Sequence, residues 1–88
     1  MDTEIEVARV EDYFAQVGAA ALEITNQFIR IGDALHFKGH TTDLLLEVSS
    51  LEIDNKPVKQ AATGAHVGIK VPERVRVNDR VFKIVQEL

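Results

Sequence analysis

Apolar and charged side chains alternate from the start of the chain. The run Ile5-Glu6-Val7-Ala8-Arg9-Val10-Glu11 repeats with a period of two, which predicts a half-buried β-strand. Tyr13 and Phe14 continue it with a break in register, where a bulge is natural. Val17-Gly18 marks a turn, and Ala19 to Ile24 reads as the returning strand. Its run Ala19-Ala20-Ala21 is ambiguous with a helix, and a helix of about 11 to 15 residues with one Gly is the lesser alternative on propensity alone.

Further along, Thr25-Asn26-Gln27 is polar punctuation, and Phe28-Ile29-Arg30-Ile31 leads into a Gly32-Asp33 turn. Ala34 to Lys38 is a short strand with Leu35 and Phe37 on one face and His36 and Lys38 on the other. Leu44 to Ile53 is the longest strand candidate, ended by Asp54-Asn55-Lys56-Pro57 because proline cannot donate to a ladder. Val58 to Ala62 fits a short strand or one helical turn. Val67 to Val71 is a strand, Pro72 interrupts, Val75 and Val77 alternate with Arg74 and Arg76, and Val81 to Val85 closes the chain. Six or seven short strands with regular turn signals predict an all-β fold, a single closed six-stranded antiparallel Greek-key β-barrel. Its core is expected from Val7, Val10, Leu22, Ile24, Ile31, Leu35, Phe37, Leu46, Val48, Leu51, Ile53, Val67, Ile69, Val71, Val81 and Ile84.

Composition narrows what such a fold can do. Eighty-eight residues make one domain, 1–88, with residues 1–4 read as an acidic, disordered start. A chain of this size has little room for a deep catalytic cavity with supporting layers. The absence of cysteine excludes a disulfide framework, a thiolate nucleophile and thiolate-held metal. No apolar run approaches the ~20 residues needed to cross a bilayer, and the start Met1-Asp2-Thr3-Glu4 lacks a signal peptide's basic residues, so a cytoplasmic location and no membrane partner are expected. No Gly-x-x-x-x-Gly-Lys-Ser/Thr loop is present to cradle nucleotide phosphates.

The net charge of −4 hides an asymmetry. Residues 1–12 hold five acids against Arg9, whereas residues 56–83 hold seven Lys and Arg against Glu73 and Asp79. The overall sign disfavours general nucleic-acid affinity, while the basic segment leaves a local patch open. Lys70, Arg74, Arg76 and Arg80, with Lys83, could form a phosphate-contacting stripe; the plainer reading is a solvated strand face that discourages edge pairing. His40, Thr41 and Thr42 make a polar loop suited to recognition or simply to turn hydrogen bonds. His36, His40 and Asp43 lie close around Gly39, and imidazoles with a carboxylate can ligate metal, but their spacing is no known zinc signature, and no cofactor is expected. Tyr13 and Phe14 could stack on a base, or serve the core. Gly64 suits a positive-φ turn and Gly68 close backbone packing.

Several ordered motifs carry a family likeness. Phe28 to Asp33 has the form apolar-x-apolar-Gly-Asp, broadly, followed by Lys38-Gly39, Ala61-Ala62-Thr63-Gly64-Ala65-His66-Val67-Gly68-Ile69, and Asn78-Asp79-Arg80-Val81. In this order they resemble the second, β-barrel domain of translational GTPases of the elongation factor Tu type. Lys38-Gly39-His40-Thr41-Thr42-Asp43 and Val67-Gly68-Ile69-Lys70-Val71 more closely resemble small stand-alone elongation factor-like proteins and the C-terminal barrel of U32-type peptidases. The likeness covers roughly residues 6–84 and omits both the GTPase and the peptidase catalytic domains. It implies a non-catalytic binding module, not an enzyme, which contacts RNA such as tRNA or the ribosome, with Gly64 to Gly68 on the analogous surface. The alternative is a protein-interaction adaptor that docks on a larger, peptidase-like enzyme.

Overall fold

The computed structural model describes residues 2–86. Ten strands follow one another, and no helix occurs among the described residues: β1 (Asp2–Phe14), β2 (Ala19–Ile24), β3 (Phe28–Arg30), β4 (Ala34–Lys38), β5 (Asp43–Glu47), β6 (Glu52–Ile53), β7 (Lys56–Pro57), β8 (Gln60–Ala62), β9 (His66–Lys70) and β10 (Arg80–Gln86). The Ala19-Ala20-Ala21 run is strand, not helix, because Ala20 and Leu22 alternate inward against β1 and β9.

Eight strands form one sheet in the order β5-β4-β10-β1-β2-β9-β6-β7, and β3 pairs with β8 in a second, two-stranded sheet. All these pairs are antiparallel. The all-β expectation therefore stands, but the closed six-stranded barrel asks for more than the ladder shows. Among the described residues β5 and β7 stand at the two ends of the large sheet, and no ladder joins them.

The strand count exceeds the expected six because the run Leu44 to Ile53 does not stay in one ladder. It leaves β5 after Glu47: the Val48 N–H still donates to the Asp33 carbonyl at 2.9 Å, but the Val48 carbonyl accepts from the Gly32 N–H at 2.8 Å, one residue out of register. It resumes as β6, and a tight hairpin at Asp54 and Asn55, both left-handed with φ of 52° and 63°, returns it as β7. The longest strand is instead β1, with 13 residues. Its register shifts between Glu6 and Ala8 and again between Val10 and Asp12. These irregularities let one strand bend, pairing with β10 along its first half and with β2 along its second. Of residues 1–4, expected to be disordered, Asp2, Thr3 and Glu4 pair in register with Gln86, Val85 and Ile84, and Met1 lies outside the described residues.

The core holds Val7, Val10, Leu22, Ile24, Leu35, Phe37, Val48, Leu51, Val67, Ile69, Val71 and Val81, as the alternation predicts. Ile31 departs from it at 43% exposed, and Ile29 is the fully buried residue of its segment. β3 ends at Arg30, so the turn through Gly32 carries Ile31 outward. Leu46 and Ile53 pack only partly against the core, with Leu44 buried ahead of Leu46 on the same face of β5. Ile84 also sits only half-buried, because the inward position on β10 beside it belongs to Lys83. The segment 71–79 forms no strand; Val75 points into the core while Val77 is exposed.

Candidate functional site

The outer face of the large sheet carries most of the charged chemistry. In register across β1, β10, β4 and β5 stand Glu6, Phe82, His36 and Leu45, flanked by Arg80, Lys38 and Asp43 on one side and Glu4, Ile84, Ala34 and Glu47 on the other. Arg80 donates from Nη2 to Glu6 Oε1 at 2.7 Å, and Lys38 Nζ meets Glu4 Oε1 at 3.0 Å. Both cations also flank the Phe82 ring, at 5.2 Å and 5.0 Å from its centroid. The Arg80 partnership holds Glu6 below the usual carboxylate range.

His36 sits between two carboxylates. Its Nδ1 is 3.0 Å from Glu4 Oε2, and its Nε2 is 2.5 Å from Asp43 Oδ1. An ionised carboxylate only accepts, so a ring nitrogen that faces one is best served when it carries a proton, and the geometry favours the imidazolium form. Its pKa is accordingly raised, first by the hydrogen bond to Asp43 and then by that to Glu4, and Glu4 is lowered by His36 and then by Lys38. With both nitrogens engaged, neither lone pair is free for a metal. The structure thus joins His36 with Asp43 but leaves His40 out of the cluster. Among the described residues no group of three or more His, Cys, Asp and Glu side chains could hold a metal ion.

The remaining candidates scatter. The Gly39–Thr42 loop closes with Gly39 N–H donating to the Thr42 carbonyl at 2.9 Å. His40 and Thr41 are exposed there, and Thr42 is buried. Thr41 Oγ1 accepts from Arg76 Nε at 2.9 Å, which ties this loop to the 76–79 turn. That turn is built on Asp79, whose Oδ2 accepts the Arg76 N–H at 2.8 Å. The Asp79 carboxylate lies so close to Gly39 that a β-carbon there would overlap it. Gly39 is therefore required by close approach rather than by a special φ. Gly68 is the converse: a β-carbon there would meet no atom within 4 Å, so the expected close packing at this glycine is absent. Gly64, at φ 94°, does make the left-handed turn.

The basic residues have separate partners. Arg74 lies 5.6 Å over the Tyr13 ring, Arg76 bonds Thr41, Arg80 pairs with Glu6, and Lys70 stands exposed at the far end of β9. Lys83 is turned inward. Its side chain is 8% exposed, and its Nζ donates to the Phe28 carbonyl at 2.6 Å and lies 3.6 Å from Asp33 Oδ2. The alternation of residues 81–85 offers no signal for that inward lysine. Further across the same outer face, where Arg9 stands opposite both Arg80 and Glu23, Arg9 Nη2 bonds Glu23 at 2.8 Å and His66 Nδ1 meets Glu11 at 2.8 Å, which raises the His66 pKa.

No family model matches the chain. It is 34% identical over 86 residues to an uncharacterized protease of Methanocaldococcus jannaschii, covering 97% of this chain and 21% of that protein. It is 30% identical over 81 residues to a collagenase of Porphyromonas gingivalis, covering 91% of this chain and 20% of that protein. The chain thus spans about a fifth of the length of the curated relatives it matches. Among solved structures, the C-terminal domain of a Geobacillus thermoleovorans U32 peptidase superposes with a TM-score of 0.82 over 89% of this chain and 90% of that one, at 18% identity. That last likeness is one of fold. The comparisons support the peptidase-associated side of the resemblance, and the translation-factor side rests on the motifs alone.

Proposed function

We propose that this chain is a non-catalytic docking module that serves a larger enzyme of the U32 peptidase type. The observation that supports this most is the pairing of coverages: nearly the whole chain matches about a fifth of a protease. An isolated C-terminal domain with the same fold is consistent with it. The surface chemistry agrees. The charged outer face is satisfied internally, cation against carboxylate, which suits a surface that packs or stays solvated. The cations needed for a phosphate-binding stripe are divided among Tyr13, Thr41, Glu6 and Phe28, which favours docking over contact with tRNA or ribosomal RNA.

Crosslinking at native expression level, followed by identification of what copurifies, tests this reading. We expect crosslinks to a U32-type peptidase polypeptide, and no retention of tRNA in a gel-shift titration at moderate salt. Recovery of tRNA or ribosomal components instead, with binding lost in an Arg74→Glu/Arg76→Glu variant, overturns it.

A further inference from the structure

The two ends of the large sheet are treated differently. At one end β7 carries Lys56 and Pro57, the kind of residues that blunt an edge against further pairing. At the other end β5 reads Asp43-Leu44-Leu45-Leu46-Glu47, with no proline and no lysine. Which backbone groups it offers follows from the ladder. The Gly39 N–H donates to the Thr42 carbonyl and the Val48 N–H to the Asp33 carbonyl, and β4 and β5 pair in unbroken register between these points. Hydrogen-bonded pairs alternate along an antiparallel ladder. Thr42, Leu44, Leu46 and Val48 therefore face β4, and the N–H and C=O groups of Asp43, Leu45 and Glu47 face the free edge.

The side chains of these same three residues project from the outer face. Leu45 is 63% exposed, and a shallow apolar groove beside it is lined by Ala34, Leu46 and Ile84. A second groove brings Val17, Leu46, Val71 and Pro72 together with Glu47, Ser49 and Lys70. The edge thus offers strand hydrogen bonds, with apolar contact beside Leu45 and a mixed groove beside Glu47. We infer that β5 accepts an extended segment of a protein partner as an added strand, and that this segment reads basic–apolar–apolar–apolar–basic.

Charge selects that occupant. In register, the outward residues of an added strand lie opposite Asp43, Leu45 and Glu47, and opposite charges across strands stabilise while like charges destabilise. A lysine or arginine at each end and an apolar residue at the centre fit; the two intervening residues face inward with Leu44 and Leu46. A second copy of the chain fits poorly. β5 is symmetric about Leu45, so antiparallel self-pairing through Leu45 places Asp43 of each copy opposite Glu47 of the other, acid on acid. Glu47 forms no ion pair among the described residues, and Asp43, though bonded to His36, keeps its side chain 83% exposed. The inference deepens the docking reading and rests on it for the owner of the strand, although the edge can be tested without that owner.

The test uses the full chain, labelled with 15N, and a nine-residue peptide blocked at both ends and centred on Lys-Val-Leu-Val-Lys. We expect amide shifts centred on residues 43–47 and slowed hydrogen exchange at the Asp43, Leu45 and Glu47 amides. A Glu-Val-Leu-Val-Glu peptide, a peptide N-methylated at its central leucine, and a Glu47→Lys variant should each bind about tenfold more weakly or worse. Because Leu45 and Glu47 are exposed, their variants should keep the native spectrum, which serves as the folding control. Absence of shifts at 43–47 up to millimolar peptide overturns the inference. So does equal binding of the acidic peptide, or a dimer of the chain that Leu45→Lys dissolves. Peptide binding at β5 without any peptidase crosslink would leave this edge in place and remove only the proposed owner.

Discussion

His36 Nε2 and Asp43 Oδ1 meet at 2.5 Å across the β4–β5 hairpin, and the same ring reaches Glu4 on β1 through Nδ1. One imidazole ring therefore links three strands that are not all neighbours in the sheet, since β10 lies between β1 and β4.

That link should make stability depend on pH. The folded pKa of His36 is raised, so its contribution is full below the free imidazole value of about 6.5 and is lost as pH rises through the raised value. Glu4 is lowered, so its contribution is full above the ordinary carboxylate range and is lost as pH falls through the lowered value. His66, raised by Glu11, adds to the alkaline loss. Urea midpoints measured from about pH 2 to pH 9 should show a plateau with both limbs descending. His36→Gln should flatten much of the alkaline limb, and adding His66→Gln should remove most of the rest. An alkaline limb unchanged in the double variant would refute the assignment.

Two glycines should respond in opposite ways. Gly39→Ala must displace the Asp79 carboxylate that builds the 76–79 turn, at a cost of about 1–3 kcal/mol. Gly68→Ala enters open space on a strand and should be neutral or stabilise by up to about 1 kcal/mol. Chemical denaturation of the two variants decides, and equal effects would contradict the packing described.

Ile29 and Ile31 offer a parallel contrast. Ile29→Ala empties a fully buried site and should destabilise by about 2–4 kcal/mol. Ile31→Ala removes a side chain 43% exposed and should cost under about 1 kcal/mol. Thermal melts that rank them the other way would mean that β3 faces the opposite way.

Lys83→Met keeps the apolar stem but leaves the Phe28 carbonyl without its charged donor. The expected loss is about 1–3 kcal/mol, visible as a lower denaturant midpoint with an unchanged slope. A variant as stable as the parent would show that the ammonium contributes nothing net to this position.

Much of the fold was readable from the alternation alone. Leu35 and Phe37 inward against His36 and Lys38 outward is what a period of two dictates, and β4 shows it unaltered. The failures occur where a strand stops inside an apolar run. In Leu44 to Ile53 the ladder ends at Val48, whose carbonyl accepts from Gly32 on the preceding turn, and only the Ser49-Ser50 pair marks that place within the run itself. Lys83 is the same difficulty in charged form, because its inward place depends on a carbonyl 55 residues away. The His36–Asp43 pair lay within the candidate set, but its third member did not: Glu4 sits 32 residues from His36, and its presence turns a supposed ligand group into a closed ion cluster. The stripe of arginines rests on alternation, and because 71–79 forms no strand, alternation there predicts no common face.

The order β5-β4-β10-β1-β2-β9 places the earliest and the latest strands of the described chain side by side in the middle of the sheet. During synthesis, β1 has no partner on its β10 side until β10 has left the ribosome. Completion of the sheet's centre is therefore a late event, and a nascent chain halted before residue 80 should be more protease-sensitive than the full chain.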